Sequence, residues 1–200
     1  MENASRTFTA FAGFTRLASG NLADVAVAAQ RALSGRPDTA VLVFDDTHGG
    51  VVDLDLRGDA AAVQRRYTPA RTDEAVAEQD ENPTARRGRG RPRLGVVSRE
   101  VTLLPRHWDW LATQPGGASA ALRRLVEDTR RSHRTSDAAR AARNAAYAVM
   151  SALCGDLPHS EEASLALFAD ARPRFEAQVS DWPGDVRDYL LGLARIAFCR

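Results

Sequence analysis

Residues 96–134 read VVSREVTLLPRHWDWLATQPGGASAALRRLVEDTRRSHR, and the punctuation of this stretch decides how the rest of the chain divides. Val96 to Leu104 is β-branched and apolar around Ser98-Arg99-Glu100, which predicts a strand that ends at Pro105. Proline suits the first turn of a helix, because the N–H it lacks is one that a helix start leaves unpaired. Trp108, Leu111 and Ala112 share a face of that helix, and Gln114-Pro115-Gly116-Gly117 stops it. Ser119 is then placed to cap a second helix, in which Leu122, Leu125, Val126 and Thr129 repeat at i, i+3, i+4 and i+7. A plain helical hairpin inside a larger core is the competing reading of the same pattern.

Charge is unevenly distributed around this stretch. The chain has 200 residues and a formal net charge of +1, yet residues 86–134 hold twelve arginines against four acids, while the flanking segments are net acidic. All 27 basic residues are arginine. A GC-rich genome accounts for that choice, and arginine is also the side chain whose planar fork matches phosphate and guanine. Positive charge gathered in a quarter of the length points first to a polyanion such as double-stranded DNA.

Just upstream lies Arg86-Arg87-Gly88-Arg89-Gly90-Arg91-Pro92-Arg93. Its core, Arg89-Gly90-Arg91-Pro92, resembles an AT-hook, with Gly88 where that motif usually has proline. The resemblance implies two arginines turned into the narrow, electronegative minor groove of AT-rich duplex, with Gly90 letting the backbone approach the floor. The order strand, helix, glycine turn, capped helix resembles the ribbon-helix-helix family over about residues 99–134. That resemblance implies an obligate homodimer whose paired strands enter the major groove. It also implies a phosphate held at the start of the second helix near Ser119, with Arg123 and Arg124 one turn on. If Val101 and Leu103 face the core, the ribbon presents Glu100, Thr102 and Leu104; in the other register it presents Arg99, Val101 and Leu103. The DNA-contacting residues implied are Arg86, Arg87, Arg89, Gly90, Arg91, Pro92, Arg93, Arg99, Thr102, Ser119, Arg123 and Arg124. The whole order, including Val101-Thr102-Leu103-Leu104-Pro105-Arg106-His107-Trp108-Asp109-Trp110-Leu111, is similar to a bacterial family of uncharacterised proteins, a domain of unknown function.

Outward from the centre, residues 67–95 are rich in Thr, Pro, Glu, Gln and Asp before the hook and read as a disordered linker. Residues 1–66 predict a small α/β domain of order β-α-β-β-α. Its strands are Thr7 to Phe14, Ala40 to Phe44 and Val51 to Leu56, with helices over Leu22–Leu33 and Asp59–Arg66 and a hairpin through Asp45-Asp46-Thr47-His48-Gly49-Gly50. Residues 135–200 predict a separate all-α domain. Ser136-Asp137 opens its first helix, Ser160-Glu161-Glu162 the next, and Phe168, Phe175, Trp182, Tyr189, Leu190 and Leu193 form its core. The fold class is therefore α+β.

Other chemistries find little support in the pattern. Asp45, Asp46, Asp53 and Asp55 invite a metal reading, but solvated turn and edge residues explain them equally well. Cys154 and Cys199 lack a CxxC spacing, and Cys154 with His159 falls short of a zinc set. His48, His107, His133 and His159 are scattered, with no nucleophile-base spacing on any one element. No stretch approaches eighteen apolar residues and Met1 to Thr9 does not resemble a signal peptide, so the expectation is a cytoplasmic, nucleoid-associated protein without membrane contact. The sequence predicts a homodimeric binder of AT-rich DNA, either a transcriptional regulator or a nucleoid-associated factor, with no cofactor, no metal and no enzymatic activity. A protein-interaction adaptor with a basic linker is the alternative.

Overall fold

The computed structural model describes residues 6–35, 39–69 and 99–199. Linker residues 70–95, which include the hook, lie outside them. The described chain is α+β, with a three-stranded antiparallel sheet followed by a largely helical remainder. It divides into two compact units, one of residues 1–69 with 132–200 and one of residues 70–131.

In the first unit, β1 (Phe8–Ala12) is the central strand, between β2 (Thr15–Gly20) and β3 (Val41–Asp45). β1 and β2 form a hairpin through Gly13-Phe14, and Gly13 sits at a φ of 55° that glycine adopts without steric cost. A bulge after Ala10 places Phe11 opposite Arg16. The sequence predicted one strand here, because β2 (TRLASG) carries few large apolar side chains with which to announce itself. Helix α1 (Leu22–Gly35) follows as expected, and α2 (Ala60–Tyr67) begins after Asp59, whose carboxylate accepts from the Ala62 amide at 2.7 Å.

The predicted strand over 51–56 is corrected. The chain returns from β3 through an Asp45 N–H to Gly50 carbonyl bond of 3.0 Å, makes one bridge at Phe44 and Val51, and departs. Side chains of α2 then take over the backbone: the Asp55 amide donates to the Tyr67 hydroxyl at 2.6 Å, and Arg66 donates to the carbonyls of Asp55 and Arg57. Val52, Leu54 and Leu56 alternate like strand residues because they pack on a core, not because they pair. The order is thus β-β-α-β-α.

Period-2 alternation puts the sheet's two faces to different uses. Phe8 and Ala10 on β1 and Val43 on β3 face one way, packing with Val25 and Ala29 of α1. Phe11 and Phe44 face the other way, into the helices α4 (Gly117–Leu153), α5 (Ser160–Phe168), α6 (Arg172–Gln178) and α7 (Gly184–Ala194). Rings of Phe11 and Tyr189 lie 5.3 Å apart by centroid. The C-terminal helices are therefore not a separate domain: they close the second face of the N-terminal sheet. Of the predicted helical core, Phe175, Trp182, Tyr189 and Leu190 are buried and Leu193 is partly so. Phe168 is corrected to the surface, 51% exposed, where it meets Tyr147 edge-on at 5.2 Å.

In the second unit, α3 (Pro105–Ala112) begins with Pro105 in its first turn, as predicted. Residues 99–104 form no strand within the chain. Ser119 is not a cap, since α4 starts at Gly117. Nor does α4 stop at Arg134: it continues through Ser136-Asp137, the predicted start of a new helix, to Leu153.

Candidate nucleic-acid interface

The turn between α3 and α4 is made by two consecutive glycines in the left-handed region, Gly116 at φ 84° and Gly117 at φ 75°. The Thr113 amide donates to Trp110 and the Gly117 amide to Gln114, closing the end of α3. Arg124 reaches back one step further and donates to the Pro115 carbonyl at 2.9 Å. One of the predicted DNA-contacting arginines is thereby also a staple of the turn.

From Arg123 to Ala138 α4 is exposed on every side. Residues 123–138 are all exposed, and Ala139 is the first buried side chain of the next stretch. A helix with no buried face either bridges through solvent or waits for a partner. This stretch carries Arg123, Arg124, Arg130, Arg131 and Arg134 against Glu127, Asp128 and Asp137. Arg130 lies 4.0 Å from Glu127, and Arg140 lies 2.8 Å from Asp137, each pair on successive turns and open to water. Such pairs hold an arginine weakly, so a phosphate can compete for it.

The predicted residues fall into three groups. Arg86, Arg87, Arg89, Gly90, Arg91, Pro92 and Arg93 lie outside the described residues. Arg99 and Thr102 are exposed in the segment that precedes α3. Ser119, Arg123 and Arg124 are exposed on the first two turns of α4, where the opening backbone amides have no acceptor within the helix. Arg130, Arg131 and Arg134 extend the basic surface along the same helix. They lie within the basic stretch 86–134 of the sequence, where only Arg123 and Arg124, one turn past the expected phosphate grip, were singled out on this helix.

The first unit holds the most tightly bonded polar cluster, in the Asp45–Gly50 turn. Buried Asp45 accepts from Arg6 and from the Thr47 amide at 2.8 Å, and His48 Nε2 lies 3.3 Å from its carboxylate. Burial alone would raise its carboxyl pKa, but the Thr47 amide and hydroxyl, His48 and Arg6 hold it below the ordinary value. His48 Nδ1 accepts from the Gly50 amide at 3.0 Å, so both ring nitrogens are engaged. Asp46 accepts from the Tyr189 hydroxyl at 2.7 Å, and burial with this bond raises the phenol well above its ordinary value. Gly49, at φ 69°, lets the turn lie on α4: a Cβ there would stand 2.0 Å from the Ala145 carbonyl oxygen. With these donors and acceptors matched, the cluster latches the sheet to the helices. Among the described residues no group of three or more His, Cys, Asp or Glu is arranged to hold a metal ion. Burial pushes the Cys154 thiol up to about 12, which disfavours its thiolate.

Fold and surface together define an α+β protein with one doubly covered sheet and an exposed, arginine-bearing helix. The chain belongs to the family described as an uncharacterized protein conserved in bacteria (DUF2239), whose model matches residues 7–194. Neither the curated proteins nor the solved structures yield a match. Among the described residues no helix is long and apolar enough to cross a membrane.

Proposed function

We propose that the protein is a DNA-binding homodimer, a transcriptional regulator or nucleoid-associated factor, that contacts duplex DNA through its arginines between Arg86 and Arg134. The observation that carries this reading is the exposed stretch of α4 with its five arginines, which continues the charge of the Arg-Gly-Arg-Pro segment upstream. Arginines on an exposed helix reach phosphates without first giving up buried partners. The hook adds a preference for AT-rich sequence, because a narrow minor groove rewards inserted guanidinium groups through its potential. The amides opening α4 and Ser119 supply phosphate contacts that position the helix and read no base.

A gel shift with AT-rich and GC-rich duplexes at two salt concentrations tests the proposal. Binding that is tighter on AT-rich DNA and falls steeply with salt is expected. Absence of binding to either duplex at low salt would replace this reading with the adaptor, whose arginines face an acidic protein.

A further inference from the structure

In the first unit a recess of about 450 Å³ opens between the last turns of α4 and the start of α5, a volume within the range of small-molecule sites. The two helices run antiparallel along it, and both of its ends are bounded. At one end the Ser160 hydroxyl donates to the Gly155 carbonyl at 3.1 Å. At the other the Tyr147 ring meets Phe168 edge-on. Helical rise makes the span from Tyr147 to Gly155 about 12 Å. The Trp182 Nε1 donates to the Pro158 carbonyl at 2.8 Å, which fixes the loop joining the helices and so presets the recess before anything enters it.

We infer that this recess binds a small organic cation, a primary amine carried on an apolar body. Buried Met150 lines its floor, while Leu165 and Tyr147, 65% and 44% exposed, leave apolar surface for such a body to cover. Glu161 carries the only charge in the lining. An acid in the first turn of a helix is ordinary. What marks Glu161 is that its carboxylate has no hydrogen bond or ion pair among the described residues, and that the hydroxyls of Tyr147 and Ser151, which line the same recess, have no hydrogen bond either. An ammonium group brings three donors and no acceptor, so it takes a carboxylate and neighbouring hydroxyl oxygens at once. The face of the Tyr147 ring adds to the attraction for a cation. An anion would meet Glu161 with no arginine in the lining to offset it, and a neutral apolar ligand would desolvate the carboxylate without pairing it. The bounded ends suit a compact molecule and not a peptide running through. This site goes beyond the DNA-binding reading and does not depend on it.

A nuclear magnetic resonance titration of the isotope-labelled full chain with tryptamine tests the site. Indole-3-propionate, which keeps the aromatic body and reverses the charge, is the second probe. Tryptamine is expected to shift the amides of Ser151, Gly155 and Glu161 and to saturate with a Kd on the order of 1 mM, the affinity of a ligand of its size at ordinary efficiency. Indole-3-propionate should bind more weakly. Glu161→Gln should weaken tryptamine about fivefold, the upper range for an ion pair open to water, and leave the weak binding of indole-3-propionate no weaker. Tyr147→Ala should weaken both probes by removing the ring. Both side chains are exposed, so the variants keep the fold, and circular dichroism melting curves check that. The site would be overturned by shifts that do not saturate, by shifts that fall away from α4 and α5, by equal binding of the two probes, or by a folded Glu161→Gln that binds tryptamine like wild type.

Discussion

Asp45 is the residue on which the first unit's polar chemistry converges, and its effect on stability has a definite sign. Its carboxyl binds protons more weakly in the folded chain than at the ordinary value of 3.8. The stability it contributes is therefore present above that value and is lost as the pH falls through the lower folded value. Chemical denaturation followed between about pH 5 and pH 2 should show that loss in the wild type, and Asp45→Asn should lose less over the same range. Gly49 gives a steric counterpart. Gly49→Ala brings a methyl group onto the Ala145 carbonyl and forces a left-handed backbone on alanine, and should cost about 3 kcal/mol in urea unfolding. Retention of wild-type stability would mean that the turn does not rest on α4. On the DNA side, Arg89→Ala with Arg91→Ala should weaken binding to AT-rich duplex far more than to GC-rich duplex. Equal losses would reduce the hook to a phosphate contact.

At the scale of elements, α4 is where the helix pattern and the cap signals pull apart. Ser136-Asp137 has the composition of a helix start, yet it lies within a continuous helix. Asp137→Pro separates the two readings: at the first position of a new helix proline is tolerated, whereas inside α4 it should cost about 3 kcal/mol. Thermal unfolding and helical circular dichroism check this, and an unchanged midpoint would divide α4 in two. What was legible followed from burial. α1, α3, α5 and α7 announced themselves through apolar faces, glycine or proline stops and acidic first turns. β2 did not, since it is half-exposed and nearly devoid of large apolar side chains. Residues 51–56 misled, because Val52, Leu54 and Leu56 alternate against a core while the ladder they mimic is replaced by Tyr67 and Arg66. The exposed arginines at 123 and 124 could be picked from charge and spacing. Arg130, Arg131 and Arg134 lie further along the same helix, beyond its start where a phosphate contact was expected, so spacing did not single them out.

For the whole molecule, the sequence invited a division into an N-terminal domain and a C-terminal domain, and the fold unites them around Phe11, Phe44 and Tyr189. Pairing of residues separated by more than a hundred positions leaves no periodic trace in either segment, which explains why the division was drawn where the composition changes. The net positive charge of residues 86–134 lies between them in the chain, and there the functional account stands or falls. If a dimer places even four arginines per chain on phosphates it neutralises about eight, and log affinity against log salt should have a slope on the order of −7. The most direct measurement is a titration of the full chain with an AT-rich duplex across a salt series. A slope near −7, with the tightest binding at the lowest salt, is the result this account predicts. A slope near zero, or no measurable affinity at about 50 mM salt, where electrostatic binding to a duplex is strongest, would contradict it.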